Sequence, residues 1–319
     1  MMDFYFAPME GLTGYIFRNA HHALFPHDIK KYFSPFIATK QIRSFTTREI
    51  RDILPENNVG TPLVPQLLTN QAKDFIRSAC EIEQFGYDEI NLNLGCPSGT
   101  VASKFKGAGF LAKRRELDDF FDEIFSAQLP RISVKTRIGR DEPEEFFALI
   151  EIFNRYPIAE LIVHPRTQQD YYRNTPNLEM FGQALALSKN PVCYNGDLFS
   201  AKDCAIFTAA FPSVGTLMLG RGLLVNPGLV SEIEYHTMLE KSSVTAFHDM
   251  IYEGYRRTIH GDRNVLFAMK ELWSYLIRLF PDAAKYAKRI KKSERLSDYE
   301  DVVADLFRER EIVQSELLF

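Results

Sequence analysis

A regular alternation of short apolar runs with helical patterns extends from the start of the chain to about residue 240. Eight runs have the length and composition of buried strands, and most segments between them repeat apolar residues at helical spacing. The eight runs are residues 4–8, 31–38, 62–67, 88–94, 131–137, 160–165, 191–196 and 214–220. This alternation predicts a parallel sheet, and eight repeats favour a closed TIM (β/α)8 barrel. The alternative is an open doubly wound sheet, which would need a glycine-rich turn after an early strand.

Capping signals support the helices of this pattern. A helix over 70–85 is predicted to end at Gly86, and Asp141 is predicted to cap a helix that continues through the next apolar residues. Capping boxes are expected where a serine precedes an acidic residue by three positions. The two such pairs are Ser200 with Asp203 and Ser297 with Glu300.

After about residue 242 the strand signals stop and helical patterns take over. Residues 262–280 place apolar side chains on one helix face, and Pro281 ends the pattern. The sequence therefore predicts two domains: a barrel over 1–240 and a small domain of about four helices over 241–319.

Composition excludes several classes of protein. The chain has 319 residues, 45% of them hydrophobic, with a net charge of −4, so it is neither disordered nor strongly basic. No apolar run is long enough to cross a membrane, and the acidic start has no signal-peptide pattern. Four cysteines without C-x-x-C spacing fit a reducing cytosol. Since no histidine pair has ligand spacing, we expect no metal site.

Polar and ionisable residues gather where the predicted strands end. In a closed parallel barrel these ends share one rim, which is where barrel enzymes carry their active sites. The residues are Pro8, Met9 and Glu10, Gln66, Asn91, Asn93 and Cys96, Lys135 and Arg137, His164 and Arg166, Asn195, Gly196 and Asp197, and Gly220 and Arg221.

The last two strand ends have the pattern of an anion site. Glycines at 196 and 220 allow backbone N–H groups to approach an anion closely, and Arg221 supplies a bidentate cation. A predicted helix near Asn226 adds its positive end. We therefore expect a phosphate to bind at these loops, although either glycine alone would be an ordinary turn residue.

Cys96 differs from the other three cysteines because it follows a strand end between Gly95 and Pro97. A rigid loop presents such a thiol as a nucleophile or a general acid, whereas the others lie inside predicted elements. On the next predicted strand Lys135 alternates with its neighbours and points into the barrel mouth. His164, alone, could equally be a satisfied strand-end histidine.

Taken in order, the strand-end motifs resemble a known family. They are APMEG, PQL, NLNLGCPS with a following KGAG, KTRIG, HPRT, NGD and GRG, and together they cover residues 4 to about 225. This series is similar to that of the tRNA-dihydrouridine synthases, and MKELWSYLIRLFP resembles the family's helical domain. The resemblance implies an FMN- and NADPH-dependent oxidoreductase that reduces particular tRNA uridines. Together with the cysteine pattern and the lack of a long apolar run, it predicts a cytoplasmic enzyme with no membrane partner and no required oligomer.

The resemblance also implies roles for individual residues. Cys96 would protonate carbon 5 of the uracil while reduced flavin gives hydride to carbon 6. Flavin contacts are expected from Pro8, Met9, Glu10, Gln66, Lys135, His164, Asn195, Gly196, Asp197, Gly220 and Arg221. Substrate contacts are expected from Asn93, Arg137 and Arg166 in the barrel and from Lys288, Arg289, Lys291 and Lys292 in the helical domain.

Two other functions compete with this prediction. An FMN barrel acting on a free small molecule, such as a dihydroorotate dehydrogenase, would share the phosphate site but would not explain the basic run over 285–295. An RNA-binding protein with a decayed barrel would not need Cys96, Lys135 and His164 intact. A basic run is often only a solvated helix face, so the family resemblance is what favours tRNA as its partner.

Overall fold

The computed structural model describes residues 2–26, 29–39 and 45–313. Ten strand segments form one sheet, and the eight neighbour pairs whose register is described are all parallel. The segments are β1 (Asp3–Phe6), β2 (Lys31–Phe33), β3 (Ile37–Ala38), β4 (Leu63–Val64), β5 (Gln66–Leu68), β6 (Glu89–Leu94), β7 (Arg131–Gly139), β8 (Leu161–Thr167), β9 (Val192–Tyr194) and β10 (Thr216–Leu219). Each predicted strand run overlaps at least one of them.

The ten segments occupy eight strand positions. β2 pairs with β4 and β3 pairs with β5, while only Pro65 separates β4 from β5. Because proline has no N–H to donate, the ladder is interrupted there. The next N–H, that of Gln66, donates to the Ser34 side-chain oxygen at 3.0 Å. The two short pairings are therefore one strand contact in two parts, and the sheet closes into the predicted (β/α)8 barrel.

Burial on both faces explains the apolar strand sequences. All six residues of β6 and all seven of β8 are buried, as expected for parallel strands covered by helices outside and by side chains inside. One side of the barrel interior is filled by a mostly apolar cluster. Its members are Tyr5, Ala7, Phe33, Val64, Ile162, Cys193 and Met218.

Fourteen α-helices are present in the described residues. They are α1 (Tyr15–Leu24), α2 (Thr47–Ile53), α3 (Ala72–Glu83), α4 (Gly99–Ala102), α5 (Arg114–Ser126), α6 (Glu145–Phe153), α7 (Leu178–Leu187), α8 (Ala201–Ala210), α9 (Arg221–Val225), α10 (Leu229–Tyr235), α11 (Lys241–Thr258), α12 (Asp262–Leu276), α13 (Ala284–Lys292) and α14 (Leu296–Glu309). Short 3₁₀ helices cover Pro55–Asn57, Gly107–Ala112 and Ile277–Leu279. None of the described helices is long and apolar enough to cross a membrane.

Two helix-boundary predictions, one helix end and one helix start, are confirmed. Gly86 follows α3 with a φ of +89°, a conformation that favours glycine. Ser200 and Asp203 form the expected capping box, since each side chain accepts the backbone N–H of the other at 3.0–3.1 Å.

Two further helix-start predictions are wrong. α6 begins at Glu145 rather than near Asp141, and its carboxylate accepts the N–H groups of residues 140–142. α14 begins at Leu296, so Ser297 already lies inside the helix. Glu300 instead accepts a hydrogen bond from the Tyr252 hydroxyl at 2.6 Å.

The chain groups into two compact units. The first comprises Met1–Pro8, Lys31–Gly196 and Phe211–Met218 and holds nearly the whole sheet. The second comprises Met9–Lys30, Asp197–Ala210 and Leu219–Phe319, and it includes the four C-terminal helices α11 to α14. A domain boundary near residue 240 stays a prediction, and residues 314–319 of the predicted helical domain lie outside the described residues.

We expect Ser34→Ala to destabilise the barrel. The substitution leaves the fully buried N–H of Gln66 without its acceptor, which costs about 1–3 kcal/mol of unfolding free energy. Urea denaturation followed by circular dichroism measures the loss. Ser78→Ala is the control, because within the described residues the buried Ser78 hydroxyl has no hydrogen-bond partner. Equal stability losses in the two variants would contradict the closing role of Ser34.

Candidate active site

The loop after β6 holds Cys96 in a fixed backbone position. The Asn93 side-chain oxygen accepts the N–H of Gly95 at 3.0 Å and the N–H of Cys96 at 2.9 Å. The Cys96 carbonyl accepts the N–H of Ala108 at 3.1 Å. A Cβ at Gly107, whose φ is +55°, would lie 2.8 Å from that carbonyl. The loop therefore needs glycine there, and it presents a half-buried thiol at the strand end.

Lys135 lies beside this loop on β7, in register with Asn93. Its side chain is half-buried between the fully buried residues Val134 and Thr136. In the described part of the chain its ammonium makes no hydrogen bond or ion pair. Burial, followed by the charge of Arg137, lowers the pKa of Lys135 to about 8. The N–H groups of the Lys135 ammonium are therefore available to donate hydrogen bonds to a ligand.

Arg137 is almost completely buried, with 1% of its surface exposed. Its guanidinium donates to three backbone carbonyls, those of Gly95 at 2.9 Å and of Thr167 and Tyr171 at 2.7 Å. Burial lowers the pKa of Arg137 to about 10. These contacts join the Cys96 loop to the loop after β8.

Arg166 is equally buried and donates to the carbonyls of Arg173 and Asn174 at 3.0 and 2.5 Å. It also contacts His164 Nε2 at 3.0 Å. Because a guanidinium can only donate, His164 Nε2 accepts, and the imidazole is neutral with its proton on Nδ1. Binding of substrate by Arg137 or Arg166 stays a prediction, because the contacts described here engage these arginines with backbone carbonyls and with His164.

Gln66 lies fully buried between two asparagines of β6. Its Nε2 donates to Asn91 Oδ1 and its Oε1 accepts from Asn93 Nδ2, both at 2.7 Å. The sequence indicated a flavin contact for Gln66 and a substrate contact for Asn93. The structure shows that both also organise the strand ends below Cys96.

Other predicted flavin residues of the first unit lie at the ends of β1 and β9. Pro8 is half-buried directly after the buried Ala7. Asn195 is buried and donates to the Met218 carbonyl at 2.8 Å. A Cβ at Gly196 would meet the Tyr194 side chain far inside contact distance, so a larger residue there would have to displace the Tyr194 ring.

The remaining flavin candidates belong to the second unit. Met9 donates its N–H to the Thr13 hydroxyl at 2.8 Å, and Glu10 is exposed. After Gly220, Arg221 pairs with Asp197 at 2.5 Å. The positive charge of Arg221 is therefore already partly balanced by a carboxylate.

The basic residues of α13 differ in whether they form an ion pair. Arg289 pairs with Asp305 at 3.2 Å. Lys288, Lys291 and Lys292 are exposed and form no ion pair with the described residues. These three lysines are cations on α13 that can meet an outside anion.

A closed parallel barrel with a fixed thiol, an available ammonium and a neutral imidazole at its strand ends defines an enzyme of the (β/α)8 class. A family model described as dihydrouridine synthase matches residues 5–317. The chain therefore belongs to the dihydrouridine synthase family, and it is an oxidoreductase. The predicted reduction of uridine to dihydrouridine is confirmed at the level of the family.

Similar proteins carry names that agree with this family. A tRNA-dihydrouridine(16) synthase of Neisseria meningitidis serogroup B is 29% identical over 238 residues, which are 72% of this chain and 70% of that protein. A probable tRNA-dihydrouridine synthase of Staphylococcus aureus strain COL is 26% identical over 265 residues, or 80% and 78% of the two chains. One of Staphylococcus epidermidis is 22% identical over 98% of this chain and 96% of its own.

Solved structures support the barrel. Morphinone reductase has a TM-score of 0.52 at 12% identity, over 77% of this chain and 88% of its own. Histamine dehydrogenase from Rhizobium sp. 4-9 has a TM-score of 0.55 at 13% identity, over 77% and 48%. At these identities the likeness concerns the fold alone.

We expect Lys135→Met to stabilise the protein at neutral pH. The folded pKa of about 8 lies below the ordinary 10.5, so the unfolded chain binds more protons between these values. Because of Lys135, the free energy of unfolding therefore rises between about pH 8 and pH 10.5. The substitution should remove the rise and add about 1–3 kcal/mol at pH 7. Urea denaturation at pH 7 and pH 10 tests this, with the exposed Lys189→Met as control. A variant less stable than wild type at pH 7 would contradict it.

Proposed function

We propose that the chain reduces particular uridines of tRNA to 5,6-dihydrouridine, with non-covalent FMN as cofactor and NADPH as electron donor. The observation that carries this proposal is the fixed Cys96 thiol beside Lys135 at the barrel rim. The tRNA-dihydrouridine synthases among its relatives support the substrate. Two of them act at position 16, so we propose that position first. Four free cysteines agree with a cytosolic enzyme.

The residues fit a flavin mononucleotide in two respects. The Lys135 ammonium has no hydrogen-bond or ion-pair partner in the described chain and can donate to an acceptor atom of the flavin ring. For the phosphate end, Arg221 supplies a guanidinium that can form charge-assisted hydrogen bonds. Reduced FMN supplies the hydride for carbon 6 of the uracil when it is bound.

The remaining flavin candidates have supporting roles in the proposal. Pro8, Met9 and Glu10 line the ring from the first loop, while Gln66 and His164 contact it from the strand ends. Because His164 Nε2 accepts from Arg166, His164 meets a ligand as a neutral imidazole and not as an acid. Asn195, Asp197 and Gly220 complete the phosphate end.

Cys96 supplies the proton of the reaction. When hydride adds to carbon 6, the electrons of the double bond move toward carbon 5 and the neighbouring carbonyl, and carbon 5 must take a proton. An ordinary thiol is mostly protonated at neutral pH and can donate it. The backbone contacts of Asn93 hold the thiol loop in place for this transfer.

A tRNA offers phosphates to the exposed lysines of α13. The target base must leave its stack to reach a barrel rim, and phosphate contacts outside the rim position the strand that carries it. We propose that Lys288, Lys291 and Lys292 make such contacts. Arg289 contributes less because Asp305 already pairs with it.

We expect Arg221→Ala to weaken FMN retention. The substitution removes a charge-assisted phosphate contact worth about 1.5–3 kcal/mol, or roughly tenfold to 150-fold in the dissociation constant. Flavin absorbance per protein after gel filtration is the measurement. Arg155→Ala removes a comparable arginine–aspartate pair, with Asp118, at the surface and should retain its flavin. Equal flavin content in the two variants would remove Arg221 from the phosphate site.

We expect Cys96→Ala to block uridine reduction while flavin binding and flavin reduction by NADPH continue. Loss of a positioned acid costs about 10²–10⁴ in rate. Single-turnover oxidation of reduced flavin by tRNA measures that step. Cys80→Ala, at a half-buried thiol in α3, serves as the control. A wild-type rate in Cys96→Ala would exclude the thiol as proton donor.

We expect the triple variant Lys288→Gln, Lys291→Gln, Lys292→Gln to bind tRNA more weakly and with less dependence on salt. Three lost phosphate contacts make the log–log slope shallower by about 2. Binding titrations at several salt concentrations give the slope, and NADPH oxidation without tRNA should be unchanged. Arg289→Gln is the matched control and should change the slope less. An unchanged slope in the triple variant would mean that α13 does not contact tRNA.

A further inference from the structure

Four polar side chains form a continuous hydrogen-bonded chain through the barrel interior. Asn93 Nδ2 donates to Gln66 Oε1 at 2.7 Å, and Gln66 Nε2 donates to Asn91 Oδ1 at 2.7 Å. Asn91 Nδ2 then donates to Ser133 Oγ at 2.9 Å. We call these four residues the amide chain. Every bond in it runs in the same direction, so each polarises the next.

The strand register explains why the amide chain exists. Gln66, Asn91 and Ser133 are direct partners across β5, β6 and β7, and therefore stand side by side on one face. Asn93 lies two residues further along β6 on the same face. The elsewhere apolar barrel interior could accept apolar residues here, and buried amides bring a desolvation cost unless they are fully bonded. Their presence therefore points to a role other than stability.

The upper end of the amide chain is the Cys96 loop. Asn93 Oδ1 accepts the N–H groups of both Gly95 and Cys96, so the chain begins at the thiol's own backbone. A shift of Asn93 would move both N–H groups. Its side chain is held in turn by Gln66, which is held by Asn91 and Ser133.

We infer that Asn91 and Ser133 are positioning residues for Cys96, acting through Gln66 and Asn93. Neither touches the Cys96 loop in any hydrogen bond described here, so their effect on the thiol passes through the amide chain. The effect of Asn91 and Ser133 on the alkylation rate of Cys96 can be measured without the enzymatic reaction. Their effect on turnover rests on the proposed function of Cys96 as proton donor.

The test is Asn91→Leu in the flavin-loaded full chain. The substitution keeps the volume but removes both of the bonds that Asn91 makes within the chain. We expect iodoacetamide to alkylate Cys96 about three- to tenfold faster relative to Cys80 in the same molecule, since a net hydrogen bond is worth about 1 kcal/mol. The kcat of tRNA reduction should fall by a similar factor, and the KM for tRNA should not change. Mass spectrometry of the alkylated peptides gives the ratio.

Two further variants separate positioning from general destabilisation. Ser133→Ala removes only the last bond and should act in the same direction with a smaller size. Asn58→Ala removes a buried asparagine that donates to the carbonyls of Asp52 and Leu54 away from the amide chain. It should lower the thermal midpoint and leave the Cys96 to Cys80 ratio unchanged.

An unchanged ratio in Asn91→Leu would overturn the inference. An equal rise at the buried Cys193 and Cys204 would also overturn it, because the amides would then serve overall stability. A raised Cys96 ratio with unchanged kcat would uphold the positioning role and would count instead against Cys96 as the proton donor.

Discussion

Closure of a parallel sheet is the constraint on which the candidate site depends. The pairings β2–β4 and β3–β5, joined through Pro65, complete a ring of eight strand positions. In such a ring the carboxyl ends of all strands share one rim. Asn93, Lys135 and His164, which are far apart in sequence, stand on adjacent strands because β6, β7 and β8 pair in turn, and closure brings the other strand ends to the same rim. An open sheet would leave its first and last strands apart.

Two buried arginines show how the rim is kept in shape. Arg137 and Arg166 cost free energy to bury, and their hydrogen bonds to backbone carbonyls offset that cost. Between them they hold the Cys96 loop, the loop after β8 and the ring of His164. Loops carry the chemistry of barrel enzymes, so rigid attachment of these loops prepares the site before any ligand arrives.

The sequence predicted the barrel because parallel strands and their helices leave periodic patterns, and it predicted the candidate residues because motifs stand at strand ends. It did not predict the contacts of those residues. Nothing in KTRIG shows that Arg137 donates to Gly95, Thr167 and Tyr171, because such contacts depend on loop paths set by tertiary packing. Ser297 shows the same limit. Ser297 and Glu300 have the sequence spacing of a capping box, but Glu300 accepts a hydrogen bond from Tyr252 of another helix instead. Asn91 and Asn93 did carry a signal, since residues two apart on a strand share a face.

The electrostatics of Lys135 add a reason for its place beside Cys96. A thiol that gives up its proton leaves a thiolate, and a nearby cation stabilises that product of the transfer. Lys135 interacts electrostatically with Cys96, and its pKa of about 8 keeps most of it charged at neutral pH. Burial has thus lowered the pKa of Lys135 toward 7, but the ammonium keeps its charge at the neutral pH where an ordinary thiol is protonated. In the reaction we propose, the charged Lys135 would therefore both donate to a ligand and stabilise the Cys96 thiolate. It would lose both roles above about pH 8, where its ammonium loses its charge.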